Sequence, residues 1–532
     1  MDFISATFVV FVILLSAVYF ITPQKAKWCI LLLGSYIFYM ASSVKLLFFL
    51  VLTTAVTFVC GLILGNINEK QKTYLKEHKN EMTREEKKAF KSRTSGKKKW
   101  IVAAAVLINL GLLIFLKYFN FIGGNINSLL AGMGIEGKIP HLNLLLPLGI
   151  SFYTLQSIAY IVDLYRGKYQ ADRNFFKFSL FMSFFPQIVQ GPIARYDQLA
   201  HQLYEAHKFD YYRVTQGVQL ILWGFMKKLI LADRLAVAVN FVFDNPDPHE
   251  GFVLFFAAAG YGLQVYADFC GGMDVARGVA QILGIELALN FERPYFALSI
   301  EEFWRRWHIT LGGWMRDYVF YPLSLSKAFA TLGKWTRKIF GNYIGKKLPT
   351  FLSMFIVFLL VGVWHGSSWK YVAYGIWNGT IIVSSILLEP VYEKVLKKCR
   401  VNTDCFSWRF FQMMRTFVLC SFGRFFSRGI SCMTSLDMMK RTVTNFNPWV
   451  FFDGSFLELG LGYKDFYVIF IFILVLLVAG VMQERGIRIR EKIAEQNLYF
   501  RWLLYIGALV VLLIYGSYGP EYAVGEFIYQ QF

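Results

Sequence analysis

Apolar residues in this chain come in continuous runs rather than in alternation. The runs cover residues 4–21, 28–41, 47–64, 100–116, 144–162, 214–243, 252–270, 351–363, 372–388, 410–426, 466–482 and 502–516. Most are close to the roughly 17–25 residues that a helix needs to cross a hydrocarbon core. They predict an all-α polytopic integral membrane protein with about twelve transmembrane helices. A membrane barrel would alternate apolar and polar positions, and these runs do not. A further apolar stretch, 175–193, is interrupted by Pro186, Gln187, Gln190, Gly191 and Pro192. It predicts a broken, re-entrant element, which is tolerated at membrane depth only where protein buries the backbone or a cavity receives it. No clean span lies between 271 and 349. There, 299–323 mixes Trp304, Trp307, Trp314, Phe320 and Tyr321 with Glu301, Glu302, Arg305, Arg306, Arg316 and Asp317, the pattern of helices lying at an interface.

The polar segments between the runs orient the chain. Residues 66–99 carry twelve Lys/Arg against five Glu, and the positive-inside rule places such a loop in the cytoplasm. After three spans that puts the N-terminus outside. The basic segments 166–177, 334–347, 394–400 and 485–501 then all fall inside, and twelve spans put the C-terminus outside too. The first run lacks a basic leader and a cleavage site, so it reads as a retained span rather than a signal peptide. The whole of 1–532 reads as one transmembrane domain. Its chemistry is concentrated between about 144 and 379, with a cytoplasmic basic loop at 66–99 and an extracellular tail at 517–532.

Composition agrees with this class: 56% hydrophobic, 18% aromatic and only 17% charged, against about 25% charged in soluble domains. The net charge of +20 sits in short inter-span clusters, which suits membrane lipid headgroups and topology rather than nucleic acid. The seven cysteines are odd in number and show no Cys-x-x-Cys spacing, so neither a disulfide framework nor a zinc site is expected.

Two of the seven histidines stand apart. His308 lies in Arg305-Arg306-Trp307-His308-Ile309-Thr310-Leu311-Gly312-Gly313-Trp314, and His365 in Gly362-Val363-Trp364-His365-Gly366-Ser367-Ser368-Trp369 at the end of an apolar run. The other five fall in polar or loop-like stretches. An ionisable group at membrane depth is costly and by default marks a functional site, and imidazole suits proton transfer near neutral pH. From the inner face, fourteen residues of helix carry His365 about 21 Å into the membrane. Its plain alternative is a neutral structural histidine bonded to a carbonyl or tryptophan; that of His308 is packing on Trp304 or Trp314. Neither has a second ligand at metal spacing. A neutral imidazole can take the proton of a hydroxyl that attacks an activated acyl group. The resulting oxyanion needs donors, for which Trp364 and Asn378 are candidates, although Asn378 also reads as a packed, buried amide.

At these residues the chain resembles the membrane-bound O-acyltransferase (MBOAT) superfamily, in particular its bacterial branch of alginate and peptidoglycan O-acetylation proteins. Residues 300–311 resemble that branch's first histidine motif and Val363-Trp364-His365-Gly366 its second. Gln190-Gly191-Pro192-Ile193, the stretch from Asp268 to Asp274, and Asn290-Phe291-Glu292-Arg293-Pro294-Tyr295 are similar to three further stretches. Departures are Gly312-Gly313 in place of a serine-containing stretch, Cys270 where serine is usual, and Asn378 where a histidine is frequent. The resemblance implies helices around a central tunnel, no bound cofactor, and acetyl-CoA as the cytoplasmic donor. His365 would be the main catalytic residue and His308 its support, and acetyl would pass outward toward a cell-surface polysaccharide. Arg305, Arg306 and Arg316 are donor-binding candidates, since guanidinium groups suit phosphate. The tail Phe527-Ile528-Tyr529-Gln530-Gln531-Phe532 is similar to tails in this branch. It makes Tyr529 a candidate acyl relay to an extracytoplasmic SGNH/GDSL-type O-acetyltransferase partner, or else an aromatic anchor. Two other functions compete: D-alanyl transfer to teichoic acid, and a proton-coupled transporter or flippase of a lipid-linked glycan. The expected location is the bacterial plasma membrane.

Overall fold

The structure, a computed structural model, describes residues 3–518; the candidate relay Tyr529 lies outside the described residues. Among the described residues it is built from helices, with an isolated antiparallel bridge between Phe291 and Trp307. Among the described residues, seven helices are long and apolar enough to cross a membrane: Leu47–Glu77, Arg84–Gly132, Gly251–Ile282, Lys327–His365, Trp369–Lys398, Tyr463–Glu484 and Leu498–Tyr515. The twelve runs exceed this count because several form shorter helices, such as Ala6–Ile21, Lys27–Met40 and Ile150–Tyr165. The chain forms two compact units, Met1–Gly217 with Val279–Ala288, and Val218–Gly278 with Leu289–Phe532.

In the first unit, the basic stretch 66–99 is not a loop. Leu47–Glu77 and Arg84–Gly132 run through it, leaving only a turn at residues 78–83. Its lysines and glutamates are good helix formers, and Thr83 starts the second helix with a capping box. Its Oγ1 accepts from the Glu86 N–H at 3.2 Å, while the Glu86 carboxylate accepts from the Thr83 N–H at 2.8 Å. The stretch 175–193 breaks as its prolines and glycine predict, into Phe175–Ser183 and a single turn, Phe185–Ile188. Gly149 fits against that turn. It has φ +71°, and a Cβ there would lie 2.1 Å from the Ile188 carbonyl oxygen, so only glycine suits the position.

Run 214–243, which enters the second unit at Val218, is not one regular span. A π-helical segment, Met226–Ala232, joins Tyr211–Phe225 to Asp233–Asp244. Its charges are all buried and paired. Lys227 meets Asp274 and lies 3.0 Å from the Cys270 sulfur. Lys228 bridges Asp268 at 2.7 Å and Asp233 at 2.8 Å. Gly224 and Gly271 bring the backbones into contact here, because a Cβ on either would meet the other's carbonyl oxygen, at 2.6 and 2.8 Å respectively. Arg234 fastens the unit further, binding Asp465 and the Tyr515 carbonyl oxygen at 2.8 and 2.7 Å.

Candidate active site

Both singled-out histidines belong to the second unit. His365 closes the 39-residue helix Lys327–His365, in which Gly341 marks a break at φ +72°. The chain then turns through Gly366-Ser367-Ser368 and returns as Trp369–Lys398. Glycines set how closely these helices lie. A Cβ on Gly362 would come within 2.8 Å of the Gly375 Cα, and one on Gly366 within 2.3 Å of the Tyr371 ring. The reversal therefore holds His365 against Tyr374, with ring centroids 5.9 Å apart.

His308 sits where two short helices meet, Ile300–Arg306 and Ile309–Met315. It caps the second in a left-handed conformation, φ 48° and ψ 53°, which non-glycine residues seldom adopt and which clusters at functional sites. The surroundings enforce it. The Phe291–Trp307 bridge lays Asn290 beside the cap, and the Asn290 carbonyl oxygen accepts from the Ile309 N–H at 3.0 Å. Asn290 Oδ1 accepts from the Thr310 N–H and hydroxyl, both at 2.9 Å, and lies 3.3 Å from His308 Nδ1. A backbone N–H requires an acceptor, so this Asn290 atom is oxygen, and Nδ1 of the imidazole must be the donor. The lone pair then resides on Nε2. His308 is 2% exposed; burial first, and His365 second, push its pKa well below the ordinary imidazole value, which keeps it neutral.

Aromatic contacts link the two histidines. His308 packs on Phe269 at 4.9 Å and on Trp364 at 5.8 Å, and Trp364 packs on His365 at 5.2 Å. The sequence offered Trp304 and Trp314 as partners for His308; Trp304 packs on Phe358 and Trp314 on Tyr318. Asn378 is buried and donates to the Tyr374 carbonyl oxygen one turn back, at 2.8 Å, so one of its N–H bonds is committed within its own helix. The candidate donor-site arginines divide. Arg306 binds Glu302 at 2.7 Å and also Glu484, and so ties its helix to Tyr463–Glu484. Arg305 and Arg316 are exposed and paired with Glu301 and Asp317, at 3.7 and 3.1 Å. Sequence reasoning missed Asn290 as a site residue, along with Phe269 and Tyr374: the bridge brings Asn290 to His308, helix Gly251–Ile282 carries Phe269 there, and the helix reversal sets Tyr374 on His365.

Fold and site together define a helical, multi-pass membrane protein with a paired-histidine centre. Residues 170–336 match the model of the MBOAT, membrane-bound O-acyltransferase family. The chain is 32% identical over 406 residues to the probable alginate O-acetylase AlgI of Pseudomonas syringae pv. tomato, covering 76% of this chain and 68% of that protein. It is 30% identical to the peptidoglycan O-acetyltransferase of Helicobacter pylori over 53% of this chain and 54% of that protein. To the teichoic acid D-alanyltransferase of Bacillus subtilis it is also 30% identical, over 48% and 62%. The chain thus spans between about half and two thirds of the length of these relatives. It belongs to the membrane-bound O-acyltransferase family.

Proposed function

We propose that this protein moves an acetyl group from cytoplasmic acetyl-CoA across the membrane toward hydroxyls of a cell-surface polysaccharide. The observation that carries the reading is the paired-histidine centre, in which Trp364 packs on both His308 and His365. His365 acts as the general base. Its imidazole takes the proton of an acceptor hydroxyl as that oxygen attacks the acyl carbon, and returns the proton to the departing thiolate when the tetrahedral intermediate collapses. His308, packed on Trp364, supports the same centre. The acceptor within the protein is Tyr529, whose phenol needs such a base at neutral pH, and an SGNH/GDSL-type partner outside then carries acetyl to the polymer. Arg305 and Arg316 receive the phosphates of acetyl-CoA. Acetyl is favoured over D-alanine because the alginate relative aligns over 76% of the chain and the D-alanyl relative over 48%.

The test is acetyl transfer from labelled acetyl-CoA by purified protein in nanodiscs. His365→Ala is expected to lower the rate on the order of 10²–10⁴-fold while leaving insertion and folding intact. Near-normal turnover by the folded variant removes His365 from the mechanism. Acceptance of a D-alanyl thioester instead of acetyl-CoA overturns the acetyl assignment.

A further inference from the structure

Among the described residues, four cations are buried in the second unit: Lys227, Lys228, Arg234 and Arg424. The first three rest on carboxylates, Asp274 for Lys227, Asp233 and Asp268 for Lys228, and Asp465 for Arg234. Arg424, in helix Phe406–Arg428, forms no ion pair among the described residues and is 6% exposed. Its polar neighbours are phenols and the Cys420 thiol: Nη1 lies 3.4 Å from the Tyr374 hydroxyl, and Tyr295 also faces the guanidinium. Its Cζ sits over the Trp307 ring, 4.7 Å from the centroid.

A guanidinium cannot shed its proton to escape burial, and a charge taken from water without a counter-ion is expensive. Phenols and an indole face repay only part of that cost. A neutral side chain would fill the same space without it, so packing does not account for the residue. Its position does. Tyr374 packs on His365, so Arg424 touches an aromatic neighbour of that histidine, while Trp307, whose ring it covers, directly precedes His308 in the chain. Positive charge aimed at a low-dielectric reaction centre is effective where anionic charge develops.

We propose that Arg424 stabilises the negative charge that forms at the paired-histidine centre during acyl transfer. The inference rests on the acyltransferase reading above. As the acceptor oxygen bonds to the acyl carbon, its proton passes to imidazole and the carbonyl electron pair moves onto oxygen. The intermediate then collapses: the C=O bond re-forms, the carbon–sulfur bond breaks, and the thiolate takes the proton. Arg424 exchanges neither electrons nor protons. It opposes the charge that is absent before attack and present in the intermediate.

The experiment compares wild type, Arg424→Met, Arg424→Lys and His365→Ala in nanodiscs, with acetyl-CoA as the donor probe and thermal unfolding recorded alongside. Arg424→Met is expected to lower kcat on the order of 10²–10³-fold with KM little changed and Tm equal to or above wild type, because a buried charge with no ion pair among the described residues has been removed. Arg424→Lys keeps the charge and should retain more activity than Met. Met kcat within threefold of wild type overturns the inference, as does a rise in KM alone, which would mark Arg424 as a binder of the substrate's own anion. If Arg424→Met does not fold, Arg424→Gln takes its place, and equal kcat for Lys and Gln overturns it too. A dead His365→Ala with an active Arg424→Met sinks only this inference, whereas an active His365→Ala sinks the reading beneath it.

Discussion

The two histidines were legible because of their setting. Each is embedded in tryptophan, glycine or arginine within an apolar chain, and imidazole is expensive there unless it serves a purpose. Asn290 was not legible in the same way. It lies 18 residues before His308, and no spacing rule connects them; the Phe291–Trp307 bridge does. Its Oδ1 fixes Nδ1 as the protonated nitrogen of His308, which yields a test with a definite sign. In Asn290→Asp a carboxylate replaces a neutral acceptor beside Nδ1–H. That favours the imidazolium and raises the His308 pKa from its burial-lowered value. A histidine with a higher pKa stays protonated, and so stays unable to accept a proton, up to a higher pH. The acid limb of the kcat/KM profile should therefore move upward in pH for Asn290→Asp, measured on acetyl-CoA. An acid limb unchanged in the folded variant would separate Asn290 from the proton chemistry and leave it only the Thr310 cap.

Hydropathy runs show where helices lie but not how near two of them can come. Gly362-x-x-x-Gly366 and Gly375-x-x-x-Gly379 were present in the sequence, yet their pairing became visible only when Lys327–His365 and Trp369–Lys398 were seen to reverse at Gly366. Small residues at such spacing let membrane helices approach closely. A Cβ on Gly375 would lie 2.7 Å from the Phe358 carbonyl oxygen and 3.0 Å from the Leu359 Cα, both backbone atoms that cannot swing aside. Gly375→Val should therefore separate the helices, lower stability by roughly 1–3 kcal/mol, and reduce acetyl transfer by displacing His365. Gly507→Ala is the control, since nothing lies within 4 Å of its Cβ position; its Tm should match or slightly exceed wild type. The π segment is the other element that period alone could not reveal. Lys227 and Lys228 are consecutive, and their burial required both Asp274 and Asp268 from a distant run.

At the scale of the whole chain, class and family were legible, because continuous apolar runs exclude a soluble or barrel protein and the separated histidine motifs are specific. The division into two units was not, since residues 279–288 belong with the first while their flanks belong with the second, and such an exchange leaves no mark on hydropathy. Orientation follows from charge alone, and it bears on the reaction. The turn at residues 78–83 joins the basic ends of Leu47–Glu77 and Arg84–Gly132, so the positive-inside rule sends it to the cytoplasm. We propose, counting the twelve apolar runs as spans, that the tail bearing Tyr529 faces outward. A protease site inserted in that turn should be cut in inverted but not right-side-out vesicles, and an epitope placed after Phe532 should be reached only in right-side-out ones. The proposed Tyr529 relay requires this opposition, with the donor thioester on the inner side and the acceptor polymer on the outer. If turn and tail map to the same side, Tyr529 has no outer acceptor to serve. With opposite sides established, Tyr529→Phe decides the remaining step. It keeps the ring and removes the attacking oxygen, so polymer acetylation should fall to background with protein level unchanged, whereas an aromatic anchor would leave acetylation at the wild-type level.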